Sequence, residues 1–272
     1  MSSHPSLHVH TFGRGPARLV ALHGWAGTHD AFRRVADNLP DGVGLVAPDM
    51  PGHGRSPRLD PWTREELVDT LCRSLEPHVQ RPMTLIGNCS GSLVALMLAM
   101  ARPEWVERLI LIEPFAYMPW YFRVFLTPVA GRLFYATAFE NPIGRWFVDQ
   151  TAGARNGDEG DLAESFGALD PEIPLLNLRL LSDMGYPEDY APLSVPIDLV
   201  HGDRTFAAVR DSVAIWQEVW PDAEVHEVTD AGHLLVLERP EEVVRIIAPG
   251  VAPRRVPIAA LEVAAALGAT SP

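Results

Sequence analysis

The tightest constraint on this chain is five residues long: Gly87-Asn88-Cys89-Ser90-Gly91. It lies between a short apolar run, Met83 to Ile86, and a helical apolar pattern, Leu93 to Ala101. Glycines two before and two after one residue have a physical purpose. A strand that turns sharply into a helix and lifts one side chain above a sheet holds that residue in a strained backbone conformation, and its neighbours must lack bulk. The apex residue here carries sulfur. Ser90 is a second nucleophile by residue type, but the glycine spacing centres on Cys89.

Such a corner needs alternating strands and helices around it, and the chain supplies them. Leu7 to Phe12 reads as an opening strand. Arg18 to Leu22, Val43 to Ala47, Arg108 to Ile112 and Ile197 to Val200 are nearly continuous apolar runs, the pattern of parallel strands covered on both faces. Glu224 to Val228 is a further strand. Asp30 to Leu39 has helical periodicity, with Phe32, Val35, Ala36 and Leu39 on one face. Thr63 to His78 is helical, with Thr63 as N-cap and Glu65 and Glu66 in the first turn, where the helix dipole favours negative charge. Ala208 to Val219 and Arg239 to Ala248 complete the helices. The expected fold class is α/β, a doubly wound, mostly parallel sheet.

The alternation stops after Glu113. Ala116 to Ala191 contains no convincing strand unit. Nine aromatics fall between Trp120 and Phe147. Gly153 to Asp161 reads as a loop, and Asp170 to Met184 as a helix. The expected organisation is a core of residues 1–115 and 192–250, an inserted helical cap of 116–191, and a tail of 251–272. Pro249, Pro253 and Pro257 make an extended linker into the tail, where Ile258 to Leu267 reads as a short apolar helix.

Composition narrows the partners. A formal charge of −13, with Arg as the whole of the 22 basic residues, argues against nucleic acid. Two cysteines do not suggest a disulfide framework. The N-terminal segment lacks a hydrophobic signal region, and no run reaches the ~18 apolar residues of a membrane helix. A soluble, cytoplasmic protein without membrane contacts is expected. Neither a phosphate-binding glycine loop nor a metal-ligand motif is legible, so no cofactor and no metal are expected. His4, His8, His10, His29, His78, His201 and His226 have no special context.

Four segments, taken in order, resemble the α/β-hydrolase superfamily. They are His23-Gly24-Trp25, the turn Asp49-Met50-Pro51-Gly52-His53-Gly54-Arg55-Ser56, the Cys89 corner, and Asp230-Ala231-Gly232-His233. The likeness runs from about Leu7 to Ala248 outside the cap and is strongest to the cap-bearing esterases, C–C hydrolases and haloalkane dehalogenases. It implies Cys89 as nucleophile and His233 as general base and acid. It also implies the backbone N–H groups of Ser90 and Trp25 as the oxyanion hole, and structural roles for His23 and His53. The third triad member departs from the commoner pattern. Its usual position, three residues after Gly202, is Thr205, which has no carboxylate. Glu113, at the end of the strand after the nucleophile helix, matches the dehalogenase branch and is the first candidate. Asp203 is the alternative. Trp120, Tyr121 and Phe122 lie nearest that strand end and are candidates for a substrate pocket; packing within the cap is the other reading.

Sulfur restricts the chemistry. A thiolate that displaced halide from an alkyl halide would leave a thioether, with no carbonyl for water to attack. Attack on an ester, thioester or lactone instead gives a thioester acyl-enzyme. Water, an amine, a thiol or an internal group can each resolve it. The expected substrate is a hydrophobic small molecule with a reactive carbonyl, carrier- or CoA-bound acyl groups included. Hydrolysis leads, acyl transfer or cyclisation is the alternative, and a catalytically silent binding protein is the reading from another class.

Overall fold

The computed structural model describes residues 6–127, 130–140, 170 and 172–249. Seven strands form one sheet in the order β1-β3-β2-β4-β5-β6-β7. These are β1 (Val9–Phe12), β2 (Ala17–Leu22), β3 (Gly44–Pro48), β4 (Met83–Asn88), β5 (Val106–Ile112), β6 (Ile197–Gly202) and β7 (Glu224–Val228). Only the β1–β3 pairing is antiparallel, with His10 opposite Ala47; the others are parallel. The doubly wound, mostly parallel sheet expected from the sequence is what forms.

The apolar runs work as two-faced strands. In β5, Leu109 and Leu111 join the core on one side of the sheet while Ile110 and Ile112 join the core on the other. Alternate residues of a strand point to opposite faces, so a parallel sheet covered on both sides must be apolar at every position. Each fully buried Leu or Ile contributes roughly 1.5–3 kcal/mol by leaving water.

Helices α2 (Arg64–Leu75), α3 (Ser90–Ala101), α7 (Ala207–Val219), α8 (Leu235–Glu238) and α9 (Pro240–Ile247) cover the sheet. Thr63 caps α2, its side chain accepting from the Glu66 N–H. The expected helix Asp30–Leu39 is shorter: a 3-10 turn at His29–Phe32 leads into α1 (Arg33–Asp37). Thr28 caps the 3-10 turn by accepting from the Asp30 N–H, and Pro40 follows the last apolar residue.

Between Ala116 and Ala191, no strand occurs among the described residues. They form α4 (Trp120–Arg123), α5 (Ala130–Tyr135), a π-helical turn (Ala136–Glu140) and α6 (Glu172–Ser182). Helix α6 sits directly on two core loops. The Trp25 indole N–H donates to the Pro174 carbonyl at 2.9 Å. A Cβ on Gly52 would lie 2.7 Å from Ile173, so that close approach, together with a φ of 75°, requires glycine there. No helix among the described residues is long and apolar enough to cross a membrane. The expected loop at Gly153–Asp161 and tail at 251–272 lie outside the described residues.

Candidate active site

The site gathers where parallel strands end. Among the described residues, the non-glycine positions with positive φ are Ala26, Cys89, Glu113 and Asp230. Each follows a strand of the central sheet or lies in the loop after it. Such conformations cost about 1–3 kcal/mol each and persist only where the surroundings over-determine them.

Cys89 has φ 53° and ψ −118°. Its N–H donates to the Ile112 carbonyl at 2.8 Å, which ties the corner to the end of β5. The Ser92 hydroxyl sits 2.9 Å from the Gly87 carbonyl and 3.1 Å from that of Ile112. A Cβ on Gly87 would fall 2.4 Å from Ser92 Cα, and one on Gly91 2.2 Å from the Leu22 carbonyl oxygen. The spacing legible in the sequence is therefore a packing requirement. Ser90 opens α3, so its N–H is among those that a helix leaves unpaired by its own ladder. Gly24 stands alongside: a Cβ there would lie 3.1 Å from that of Cys89.

Buried polar groups frame the turn that carries Trp25. The Nε2 of His23 accepts from the Met50 N–H at 2.8 Å, so its Nδ1 carries the proton and donates to the Gly24 carbonyl at 2.9 Å. Burial, with His53 nearby, pushes the His23 pKa down to about 3, and the ring stays neutral. Asp49 accepts from the N–H groups of His29 and Arg55 and from His29 Nδ1. Burial alone would raise its pKa, but these donors outweigh it and hold the carboxylate below its usual range.

Glu113 is fully buried at the end of β5. One carboxylate oxygen accepts from the Gly202 N–H at 2.7 Å; the other accepts from the Thr205 hydroxyl and from His233 Nδ1, the latter at 2.9 Å. With Nδ1 committed to Glu113, the other ring nitrogen is left for Cys89, which lies near enough to act on the charge of the imidazole. Phe206 and Phe115 flank the imidazole at 4.8 and 5.9 Å between ring centroids. Burial pushes the His233 pKa down, but negative charge at Cys89 and Glu113 reverses this and raises it to about 10.

Cys89, His233 and Glu113 thus gather at one place, with His233 bonded to Glu113 and neighbouring Cys89. Asp203 stands outside it. It accepts from the Ala231 N–H at 3.1 Å and so braces the loop that carries His233. The reason is local: after Gly202 the backbone turns Asp203 toward Ala231, and Thr205 is the residue that reaches the imidazole's carboxylate. The sequence offered Thr205 only as a missing acid. Its hydroxyl donates to Glu113, a partner from another strand, and nothing local in the sequence announces that bond. The Gly202 N–H had no signal.

An apolar cavity lies over Cys89, lined by Trp25, Phe115, Met118, Phe122 and Leu178 among others. The Phe122 ring meets Trp25 and Phe115 edge-on at 5.4 and 6.0 Å. Trp120 is 75% exposed and lines no part of this cavity, which corrects the pocket expectation. Tyr121 packs beside Phe122, and burial, with Tyr117 and Cys89 nearby, pushes its hydroxyl pKa up. Successive side chains of a helical turn lie about 100° apart, which carries Trp120 away from the cavity that Phe122 lines.

The model of the alpha/beta hydrolase family matches residues 19–246. The chain is 28% identical over 260 residues to a pimeloyl-(acyl-carrier protein) methyl ester esterase of Chromobacterium violaceum, covering 89% of this chain and 97% of that one. It is 39% identical over 109 residues to the lipase LipV of Mycobacterium tuberculosis, a match spanning 40% of this chain and 41% of the lipase. Among solved structures, a thermophilic esterase from Thermogutta terrifontis superposes with TM-score 0.69 at 20% identity, covering 89% of this chain and 91% of that one. A thioesterase domain from the curacin biosynthetic pathway gives 0.62 at 19%, covering 88% and 94%. Matched by the family model over most of its length and folded around the same sheet, this chain belongs to the alpha/beta hydrolase family.

Proposed function

We propose that the protein is an acyl hydrolase that cleaves an ester or thioester of a hydrophobic substrate through Cys89, His233 and Glu113. The observation that carries this reading is the gathering of buried Glu113, its bonded partner His233 and the neighbouring Cys89 at the strained apex. The ester-cleaving relatives support the reaction class, and the apolar cavity over Cys89 suits an acyl chain. The curated esterase bears a carrier-linked name, so a carrier-bound acyl group is a fitting substrate to try first.

The steps follow from the residues. The Cys89 sulfur attacks the carbonyl carbon while its proton resides on His233. The carbonyl electrons move to oxygen, where the N–H groups of Ser90 and Trp25 act as the oxyanion hole; one such donor is worth about 10²–10³-fold in rate. Collapse breaks the bond to the leaving oxygen or sulfur, which takes the proton from His233. The product is a thioester on Cys89. Water then attacks it, gives its proton to His233, and collapse releases the acid and restores the thiol–imidazole pair. Glu113 orients the imidazole and stabilises its cationic form throughout. The sulfur apex also favours a second reading, transfer of the acyl group to an amine, thiol or internal nucleophile, because thioesters react well with these relative to water.

The test is intact-mass analysis after incubation with short- and medium-chain acyl thioesters and aryl esters. The expected result is an acyl adduct on the wild-type protein, none on Cys89→Ala, and loss of turnover in that variant. Full activity in Cys89→Ala would overturn the proposal. Free acid as the sole product with a competing amine present selects hydrolysis, and an amide selects transfer. A protein that binds acyl compounds without adduct or turnover is a silent member of the family.

A further inference from the structure

Three histidines without a motif around them converge in the fold. His8 precedes β1, where its N–H donates to Ser56 Oγ and its carbonyl accepts from the Asp49 N–H, each at 2.9 Å. His10 lies in β1, two residues on, and so on the same face of the strand. His29 opens the 3-10 turn that follows the Trp25 segment. One ring nitrogen from each lies within 4.8 Å of the others. The His10 and His29 rings are stacked at 4.7 Å, and His8 meets His29 edge-on at 5.3 Å.

Two further observations point to a ligand. The Nε2 of His8 is buried without a hydrogen-bond partner. The Nδ1 of His29 lies 2.7 Å from Asp49 Oδ1, and the carboxylate can only accept. Nδ1 therefore carries a proton, and Nε2 is the His29 nitrogen that a metal ion would take. A carboxylate behind an imidazole that presents its other nitrogen is the arrangement found behind most metal-ligating histidines.

We propose that His8, His10 and His29 form a binding site for a divalent transition-metal ion of the zinc or copper class, with Asp49 orienting His29. Imidazole nitrogens suit these ions, whereas calcium and magnesium prefer oxygen. Asp30 Oδ1 lies 3.6 Å from His29 Nε2 but is paired with Arg33, so water completes the coordination in this proposal. None of the three histidines lines the cavity over Cys89. The ion would pin the edge strand to the loop after the Trp25 turn, a stabilising role and not a catalytic one.

The experiment uses untagged, chelator-stripped protein titrated with zinc chloride, with cobalt(II) as a spectroscopic probe. It is run on the wild type and on Cys89→Ala, because the Cys89–His233 pair is itself able to hold zinc. The expected result is one zinc retained in Cys89→Ala, a cobalt visible spectrum of imidazole ligation, and a Tm that rises by about 5 °C at a hundredfold excess over Kd. His10→Gln should weaken zinc binding at least about tenfold, and His8→Gln combined with His10→Gln should abolish it, with circular dichroism unchanged. His226→Asn serves as control, because its acidic partner Asp198 is already engaged by Arg108. Absence of zinc binding in Cys89→Ala, or zinc retained by the His8/His10 double variant, would overturn the proposal.

Discussion

Glu113 carries more of the candidate site than any other single residue. Its two oxygens accept from Gly202, Thr205 and His233, so both its position and its charge are committed. Replacing it by Gln keeps the shape but substitutes a neutral group that also donates, and the imidazole loses its cation-stabilising partner. Turnover of Glu113→Gln should fall by about 10³–10⁴-fold, measured as kcat on the preferred acyl substrate. Asp203→Asn should stay within a few-fold of wild type in the same assay. Equal losses in the two variants would remove Glu113 as the triad acid. Thr205→Val deletes a hydroxyl donor to a buried carboxylate, and should cost about 1.5–3 kcal/mol in denaturant unfolding. At this scale the sequence marked Cys89, His233 and Glu113 as candidates, because each ends a strand or follows a glycine-marked turn, and the fold brings His233 and Glu113 into contact. Thr205 as a donor was not legible, since its partner comes from a distant strand.

At the scale of elements, the corner between β4 and α3 depends on what passes over it. The end of β2 crosses so closely that a methyl at position 91 would lie 2.2 Å from the Leu22 carbonyl oxygen. Gly91→Ala should destabilise by about 1–3 kcal/mol or more through forced backbone shifts, and it should lower activity by moving the Ser90 N–H. Thr63→Ala tests a different boundary. It removes the cap of α2, far along the chain from the candidate triad, and should cost about 1 kcal/mol in urea unfolding with turnover unchanged. Helix existence followed well from periodicity here. Helix ends did not. The expected Asp30–Leu39 helix became a 3-10 turn and five helical residues, because His29 is drawn into hydrogen bonds with Asp49 from another loop.

For the whole molecule, buried histidines predict a stability optimum near neutral pH. The folded-state pKa of His23 is about 3, against an ordinary 6.5. Its contribution is fully present above pH 6.5 and is lost as pH falls toward 3, because only the unfolded chain takes up the proton in that window. Burial lowers His53 in the same direction, and Asp49 adds a further loss at more acidic pH. His233 acts oppositely. Its folded-state pKa is raised from 6.5 to about 10, so its contribution is fully present below pH 6.5 and lost as pH rises through 10. Urea unfolding across pH 4 to 10 should therefore give a maximum near pH ~6.5. Cys89→Ala should flatten the alkaline limb by removing one of the negative partners that raise His233. An alkaline limb unchanged in that variant would argue against a charged Cys89–His233 pair.

By itself the sequence determined the sheet, the order of its strands and helices, the corner at Cys89 and the family resemblance. These are local facts: apolar runs, glycine spacing and turn residues act on the few residues beside them. Only the tertiary structure decided that Glu113 rather than Asp203 meets His233, that Phe122 and not Trp120 faces the cavity, and that His8, His10 and His29 come together. Each of those outcomes depends on the direction of a side chain relative to a segment far away in the chain. That direction is set by the backbone turns between the segments, which residue type and spacing do not specify.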